Sequence, residues 1–204
     1  SGDVLAMASR PTYSLSDMSH VPGNAWKNQA ISIVYEPGST FKPFIVAEAL
    51  QAGLIKQDEM FDCENGEYRM GPRILHDHHA YSKLSVTDIL VKSSNIGMAK
   101  IGERLTNRGL YNATVKFGFG RPTGIDLPGE LSGILRPLKQ WNGYSTGSIP
   151  MGHELAVTPL QLVTAQSALA NGGRLITPRI LKGVQGHRSD SAASFQASLE
   201  DPTV

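Results

Sequence analysis

The chain has 204 residues, which suits one domain or a domain with a subdomain, and its hydrophobic content of 40% is that of an ordinary globular protein. A formal net charge of +1, without any cluster of Lys and Arg, excludes an electrostatic footprint for nucleic acid. The sequence has no apolar run of about eighteen residues that could span a membrane, and its single cysteine, Cys63, excludes an internal disulfide.

The first stretch, residues 3–8, is short and mostly apolar, and this pattern predicts a β-strand buried on at least one face. No signal peptide precedes it, and a chain that opens inside a strand leads us to expect further residues upstream. Residues 9–28 are rich in Pro, Ser, Gly and Asn, which predicts an irregular surface segment. Residues 29–34 are predicted to form a short apolar helix or strand.

The next stretch organises the rest of the chain. Pro37-Gly38 predicts a turn, and the helix-compatible run at 44–52 follows it and is closed by Gly53. This pattern places Ser39 near a helix N-terminus and Lys42 one turn later. Because residues three apart share a helix face, the hydroxyl and the amine are predicted to approach each other.

Ser39 and Lys42 are of the types that nucleophilic catalysis needs. A serine is a poor nucleophile until a base takes its proton, and a neutral lysine can be that base. Unpaired N–H groups at a helix N-terminus could also stabilise an oxyanion. Taken alone, the S-x-x-K pattern is weak, since Ser39 could be a helix cap and Lys42 an exposed charge.

Residues 57–83 carry mixed polar residues with scattered glycines, which predicts a loop or a small hairpin. They include His76-Asp77-His78-His79, the one stretch that invites a metal hypothesis. Adjacent histidines on an extended segment point to opposite sides, and no matching set of Cys or His follows at ligand spacing. A solvated polar loop is therefore favoured, and no metal site is predicted.

Ser85 begins a capping-box pattern, which predicts a short helix that is interrupted at residues 92–95. Apolar residues then recur at helical spacing up to Asn107 and Gly109. Ser93 or Ser94 is thus a natural N-cap at a helix–helix junction. On the residues alone, that structural role is the favoured one.

The second half of the chain has clear helix signals. Residues 115–120 are predicted to form a short helical turn. Thr158-Pro159 opens a helix, with threonine as N-cap and proline at the first helical position, and Asn171-Gly172-Gly173 ends it. Residues 175–181 are predicted to form a strand, and the polar tail at 185–204 is predicted to be loosely ordered.

Five separated stretches share one resemblance, and they occur in this order: YEPGSTFKPF at 35–44, SSNIG at 93–97, GFGRPTG at 118–124, DLPGE at 126–130 and TPLQL at 158–162. Together they closely resemble the transpeptidase domain of class B penicillin-binding proteins, which are peptidoglycan D,D-transpeptidases. S-x-x-K with S-x-N is a motif pair of penicillin-binding proteins and class A β-lactamases. The resemblance covers the chain to about residue 184.

The resemblance implies a role for four residues. Ser39 resembles the nucleophile that a stem-peptide carbonyl or a β-lactam acylates, and Lys42 resembles the base that accepts its proton. Ser93 resembles the shuttle that passes a proton toward the leaving group. Asn95 resembles the residue that hydrogen-bonds the substrate amide. No cofactor is implied.

The implied fold is α+β, the penicillin-binding and serine β-lactamase-like transpeptidase fold, with an antiparallel sheet packed by helices and a mostly helical subdomain. Residues 1–184 would form a partial transpeptidase domain. The third family motif, Lys-Thr/Ser-Gly, is absent from the sequence, and Lys182-Gly183 lacks its middle residue. We therefore expect the C-terminal strands to be missing, and Lys42 to be harder to deprotonate without that motif's cation. Gly152-His153-Glu154 also departs from relatives that have a second glycine.

The resemblance also implies partners and a location. Peptidoglycan stem peptides and β-lactams would bind, other cell-wall synthesis proteins would be partners, and a separate anchor would hold the parent protein at the outer face of the bacterial plasma membrane. Three alternatives stay open: a class A penicillin-binding protein, a serine β-lactamase or β-lactam sensor, and a non-catalytic scaffold fragment. Without the third motif, the chain itself is expected to be catalytically incomplete.

Overall fold

The computed structural model describes residues 1–183, which contain helices and short antiparallel strands joined by loops. The helices of this part are α1 (Gln29–Ser32), α2 (Lys42–Gln51), α3 (Val86–Val91), α4 (Asn95–Lys116), α5 (Ser145–Ser148) and α6 (Pro159–Ala170). Its strands are β1 (Met60–Asp62), β2 (Glu67–Met70), β3 (Arg73–His76), β4 (Lys83–Ser85), β5 (Ile134–Leu135) and β6 (Leu155–Ala156). The predicted tail at 185–204 lies outside the described residues.

The strands of this part pair antiparallel as three two-stranded sheets, β1 with β4, β2 with β3, and β5 with β6. The β2–β3 pair is the small hairpin predicted within residues 57–83, and it turns at Gly71, whose φ is +58°. The mixture of helices and antiparallel pairs confirms the predicted α+β class.

The core is centred on α2 and α4. Phe41 and Phe44 are fully buried, and their rings lie 5.2 and 5.3 Å from the ring of Phe119. On its other side α4 meets α5, where a Cβ at Gly102 would lie 2.1 Å from the Thr146 carbonyl oxygen. The core therefore holds both of the helices that begin at the S-x-x-K and S-x-N motifs.

The predicted starts of α3 and α6 and the predicted end of α2 are confirmed. Ser85 caps α3 by accepting a hydrogen bond from the Asp88 N–H, and Thr158 forms a full capping box with Gln161 at the start of α6. At the end of α2, Gly53 takes a φ of +67°, and the Leu54 N–H donates to the Ala49 carbonyl at 3.0 Å. This contact is the Schellman pattern that glycine favours.

The two predicted strands at 3–8 and 175–181 are wrong except at one point. They meet in a single parallel bridge between Asp3 and Arg179, with one hydrogen bond on either side. A strand needs a neighbour along its length, and within residues 1–183 nothing pairs with residues 5–8, where Leu5 is 95% exposed. Residues 29–34, in contrast, contain helix α1.

Helix α4 extends further than predicted. It breaks at Thr106, whose φ of +63° is non-helical, just before the predicted end at Asn107 and Gly109. The chain then resumes the helix to Lys116, so only the last two helical residues fall in the predicted turn at 115–120. Among the described residues, no helix has the length and apolar character needed to cross a membrane.

Candidate active site

Ser39 lies in a 3₁₀-helix, Gly38–Phe41, that leads directly into α2. Gly38 takes a φ of +57°, which glycine adopts readily and which makes the turn at Pro37-Gly38. Ser39 is exposed, whereas Lys42 at the first residue of α2 is 1% exposed. The predicted placement of Ser39 at a helix N-terminus is therefore confirmed, and the alternative of an exposed Lys42 is wrong.

The Lys42 amine is surrounded by oxygen atoms from the S-x-N turn. Nζ lies 2.6 Å from the Ser93 carbonyl oxygen, 2.9 Å from Ser93 Oγ and 3.0 Å from Asn95 Oδ1. Burial lowers the pKa of Lys42 to about 8, and the charge of Asp77 opposes part of this decrease. At this pKa a fraction of the amine is deprotonated near neutral pH, and burial is the main cause of the decrease.

Ser93 joins the other two residues. Its Oγ lies 3.0 Å from Ser39 Oγ and 2.9 Å from Lys42 Nζ. Within residues 1–183 no hydrogen bond joins Lys42 Nζ to Ser39 Oγ, and the two side chains are connected through the Ser93 hydroxyl. The buried amine contacts the acceptors of the S-x-N turn.

The junction between α3 and α4 explains why Ser93 is free for this contact. Ser94, and not Ser93, is the N-cap of α4, since its Oγ accepts from the Gly97 N–H at 2.9 Å. Ser93 takes a φ of +55°, a conformation unusual for a residue with a Cβ. In this strained turn between the two helices, the Ser93 hydroxyl faces Ser39.

The Asn95 side chain is held at both ends. Its Oδ1 accepts from Lys42 Nζ at 3.0 Å, and its Nδ2 donates to the His76 carbonyl at 3.1 Å. These two contacts define which end of the amide is oxygen and which is nitrogen. The structure thus brings all four predicted site residues into one hydrogen-bonded group.

Asp77 belongs to this group and was missed by the sequence reasoning. Its Oδ2 accepts from Ser94 Oγ at 2.6 Å, and its Oδ1 accepts from the backbone N–H groups of Asn95 and Ile96. The only sequence signal was the polar run His76-Asp77-His78-His79. The carboxylate contacts the N-terminus of α4, and within residues 1–183 no group of three His, Cys, Asp or Glu could hold a metal.

A second loop packs against the turn that holds Ser39. Gly152 has a φ of +79° and lies so close to Gly38 that a Cβ there would be 2.1 Å from the Gly38 carbonyl oxygen. The Gly38 N–H donates to the Gly152 carbonyl at 3.1 Å. The Glu36 carboxylate contacts His153 Nδ1 and accepts a hydrogen bond from the Glu154 N–H. Both contacts lower the pKa of Glu36, and the contact with His153 has the larger effect.

Glu154 lies in the stretch that departs from relatives with a second glycine, and its φ of +63° is of the kind that glycine favours. Its carboxylate compensates with bonds to the hydroxyls of Ser145 and Ser148 and an ion pair with Arg136. Glu154 also borders a cleft of about 820 Å³ between the β2–β3 turn and residues 142–144. None of the four predicted site residues lines that cleft.

Comparison with known proteins agrees with this geometry. A family described as the penicillin binding protein transpeptidase domain matches residues 1–200. The peptidoglycan D,D-transpeptidase FtsI of Escherichia coli K12 is 35% identical over 172 residues, which is 84% of this chain and 29% of that protein. The penicillin-binding protein PbpB of Mycobacterium tuberculosis is 35% identical over 184 residues, 89% of this chain and 27% of that protein. The chain thus spans less than a third of the length of these relatives.

Solved structures show the same similarity. The transpeptidase domain of Burkholderia pseudomallei penicillin-binding protein 3 superimposes with a TM-score of 0.75 at 30% identity, over 78% of this chain and 48% of that chain. Penicillin-binding protein 3 of Mycobacterium tuberculosis, in complex with aztreonam, gives 0.72 at 34% identity, over 76% of this chain and 35% of that chain. At these sequence identities, the chain is similar to both proteins in sequence as well as in fold.

Proposed function

The chain belongs to the family of penicillin-binding protein transpeptidase domains, and from this premise we propose that it is a peptidoglycan D,D-transpeptidase acting through a Ser39 acyl-enzyme. The observation that carries the proposal is the position of Ser93 Oγ, 3.0 Å from Ser39 Oγ and 2.9 Å from Lys42 Nζ. These contacts connect a nucleophile to a base through one hydroxyl.

The contacts of Lys42 suit both of its protonation states. A neutral amine has two N–H groups and one lone pair. The two N–H groups can donate to the Ser93 carbonyl and to Asn95 Oδ1, which leaves the lone pair for the Ser93 hydroxyl. Ser39 then passes its proton to Ser93 as Ser93 passes its own to Lys42. The resulting ammonium donates to all three oxygens without any side chain moving.

The acyl transfer divides into two steps. Ser39 Oγ attacks the carbonyl carbon of the substrate's penultimate D-alanine, the C–N bond breaks, and the proton held by Lys42 returns through Ser93 to the leaving amine. An amine of a neighbouring stem peptide then attacks the ester and restores the Ser39 hydroxyl. The Ser39 N–H provides one oxyanion donor, and Asn95 contacts the substrate amide.

The alternatives drawn from the sequence receive no support from the relatives, which are named as transpeptidases and penicillin-binding proteins. A β-lactamase must also activate a water molecule to hydrolyse the ester. The lifetime of the acyl-enzyme therefore distinguishes a transpeptidase from a β-lactamase.

The proposal extends to ligands and location. The substrates are peptidoglycan stem peptides, and β-lactams react as their analogues, as the complexes of a relative with aztreonam and ampicillin support. Because the substrate is the cell wall, the protein acts at the extracytoplasmic face of the bacterial plasma membrane. Other cell-wall synthesis proteins are its partners there.

Intact-protein mass spectrometry after incubation with benzylpenicillin tests the proposal. We expect an adduct of one benzylpenicillin that persists for hours, maps to the peptide containing Ser39 and is absent from Ser39→Ala. An adduct that decays within minutes would indicate a β-lactamase. No adduct, in a wild-type chain whose circular dichroism shows it to be folded, would contradict an acylating function for this chain.

The pH dependence of acylation follows from the pKa of Lys42, about 8. Since only the neutral amine accepts a proton, the acylation rate is expected to rise about tenfold per pH unit below pH 8 and to level off above it. Stopped-flow measurement with a fluorescent penicillin between pH 6 and 9 gives the acylation rate at each pH directly. A rate that is flat or falls across this range would rule out Lys42 as the base.

A further inference from the structure

We propose that Asp77 is a positioning residue for the acylation step: its carboxylate holds the Ser93-Ser94-Asn95 turn and supplies the negative charge that balances Lys42 when that amine takes the proton. The inference deepens the proposed function and rests on it. It also assigns a role to a residue that had no part in the sequence-derived site.

Contacts of residues 76 and 77 fix the S-x-N turn from two directions. The Asp77 carboxylate binds the Ser94 hydroxyl at 2.6 Å and the Ile96 N–H at 3.1 Å, while the His76 carbonyl holds Asn95 Nδ2 at 3.1 Å. The Asp77 N–H in turn donates to the Gly66 carbonyl at 3.1 Å. The last residue of strand β3 and the residue after it therefore hold Ser94, Asn95 and Ile96, which directly follow Ser93.

Capping alone does not require a carboxylate at this place. The Ser94 hydroxyl already accepts a hydrogen bond from the Gly97 N–H, and neutral acceptors could accept from the N–H groups of Asn95 and Ile96. A buried ammonium, however, is costly without an opposite charge. The contacts of Lys42 within residues 1–183 are all to uncharged oxygens, so its charge must be balanced from beyond its hydrogen-bonded neighbours.

Asp77 is the group placed to do so. Its carboxylate bonds the backbone N–H of Asn95, whose side chain contacts Lys42, and its charge raises the pKa of Lys42 against the effect of burial. Its other ionisable neighbour, Cys63, stays uncharged because burial raises the pKa of the thiol, which lies 3.7 Å from Ser94 Oγ.

The remaining charged groups near this site are engaged elsewhere. His76 Nδ1 lies 3.7 Å from a Glu67 carboxylate oxygen, and Lys100 forms an ion pair of 2.6 Å with Glu64. Neither makes a contact with the Lys42 amine. A neutral residue at position 77 should therefore change the protonation of Lys42 with little interference from these groups.

Asp77→Asn provides the sharpest test. Its Oδ1 can still accept from the two backbone N–H groups, and its Nδ2 can donate to Ser94 Oγ, which reverses the bond that Ser94 now donates. The turn thus keeps its contacts and loses the charge. We expect the midpoint of the acylation pH profile to move to lower pH by roughly one unit. Asp77→Glu keeps the charge but displaces the carboxylate, so its midpoint should stay near that of the wild type while the plateau rate falls.

The matched control is Asp88→Asn, which removes an equal charge from the first turn of α3. Within residues 1–183 the Asp88 carboxylate is hydrogen-bonded to the Ser85 hydroxyl alone. The profile of this variant is expected to coincide with that of the wild type. A midpoint unchanged in Asp77→Asn, or lowered in Asp77→Glu, would overturn the electrostatic role. A plateau rate unchanged in Asp77→Glu would overturn the positioning role.

A second measurement keeps this test independent of acylation. The Lys42 amine is titrated by NMR of ¹³Cε-labelled lysine, with its signal assigned by comparison with Lys42→Met. If the wild type forms no β-lactam adduct, the proposed function fails, yet a lower Lys42 pKa in Asp77→Asn would still support the coupling. An unchanged pKa would refute the coupling whatever the outcome of acylation.

Discussion

Lys42→Met is expected to lower the rate of Ser39 acylation by roughly 10³-fold, because general-base catalysis contributes about that much. Methionine is close to lysine in length and apolar, and the position is 1% exposed, so the side chain fits the same space without a charge to desolvate. The Ser93 and Asn95 oxygens lose a donor, and Asp77 loses the charge that it balances but keeps its hydrogen bonds to the S-x-N turn. The free energy of unfolding should therefore change far less than the rate.

The matched control is Lys116→Met, since the Lys116 amine forms a surface ion pair with Glu48 of α2 at 3.0 Å, away from the acylation site. It is expected to leave acylation unchanged, because exposed ion pairs contribute little. Rates are measured with a fluorescent penicillin, and melting temperatures by circular dichroism. A folded Lys42→Met protein that acylates within tenfold of the wild type would show that another group takes the Ser39 proton.

Features set by neighbouring residues could be predicted from the sequence. Helix caps depend on contacts within a few residues, as at Ser85, Thr158 and Gly53. All the residues that form such a cap are therefore visible in the local sequence. The placement of Ser39 beside a helix N-terminus follows from Pro37-Gly38 for the same reason. The four site residues were identified because the family motifs retain their order and spacing.

Features set by distant residues could not be predicted in this way. The burial of Lys42 depends on Ser93 and Asn95, more than fifty residues later in the chain. Asp77 reaches the same turn from a polar run that looks like a solvated loop in the sequence. The two failed strands have the same cause, because an apolar run becomes a strand only where a partner pairs along it.

The contact between Gly152 and Gly38 leads to the other large expected effect. Gly152→Ala should lower the free energy of unfolding by roughly 2–4 kcal/mol, since a φ of +79° disfavours any Cβ and the new atom would lie 2.1 Å from a backbone oxygen. Backbone on both sides must move to relieve the overlap. Because Gly38 immediately precedes Ser39, acylation should also slow, by at least about tenfold, through displacement of the nucleophile and its N–H.

Gly129→Ala separates the two causes, because Gly129 has a similar φ of +83° and no atom within 4 Å of the new Cβ. Its free energy of unfolding is expected to fall by only about 1 kcal/mol, and its acylation rate should match that of the wild type. Urea unfolding and fluorescent penicillin labelling of both variants give the comparison. If Gly152→Ala matched Gly129→Ala in both measurements, close packing of the two glycine turns would not be what holds Ser39 in place. If it lost stability but acylated normally, the contact would support the fold alone.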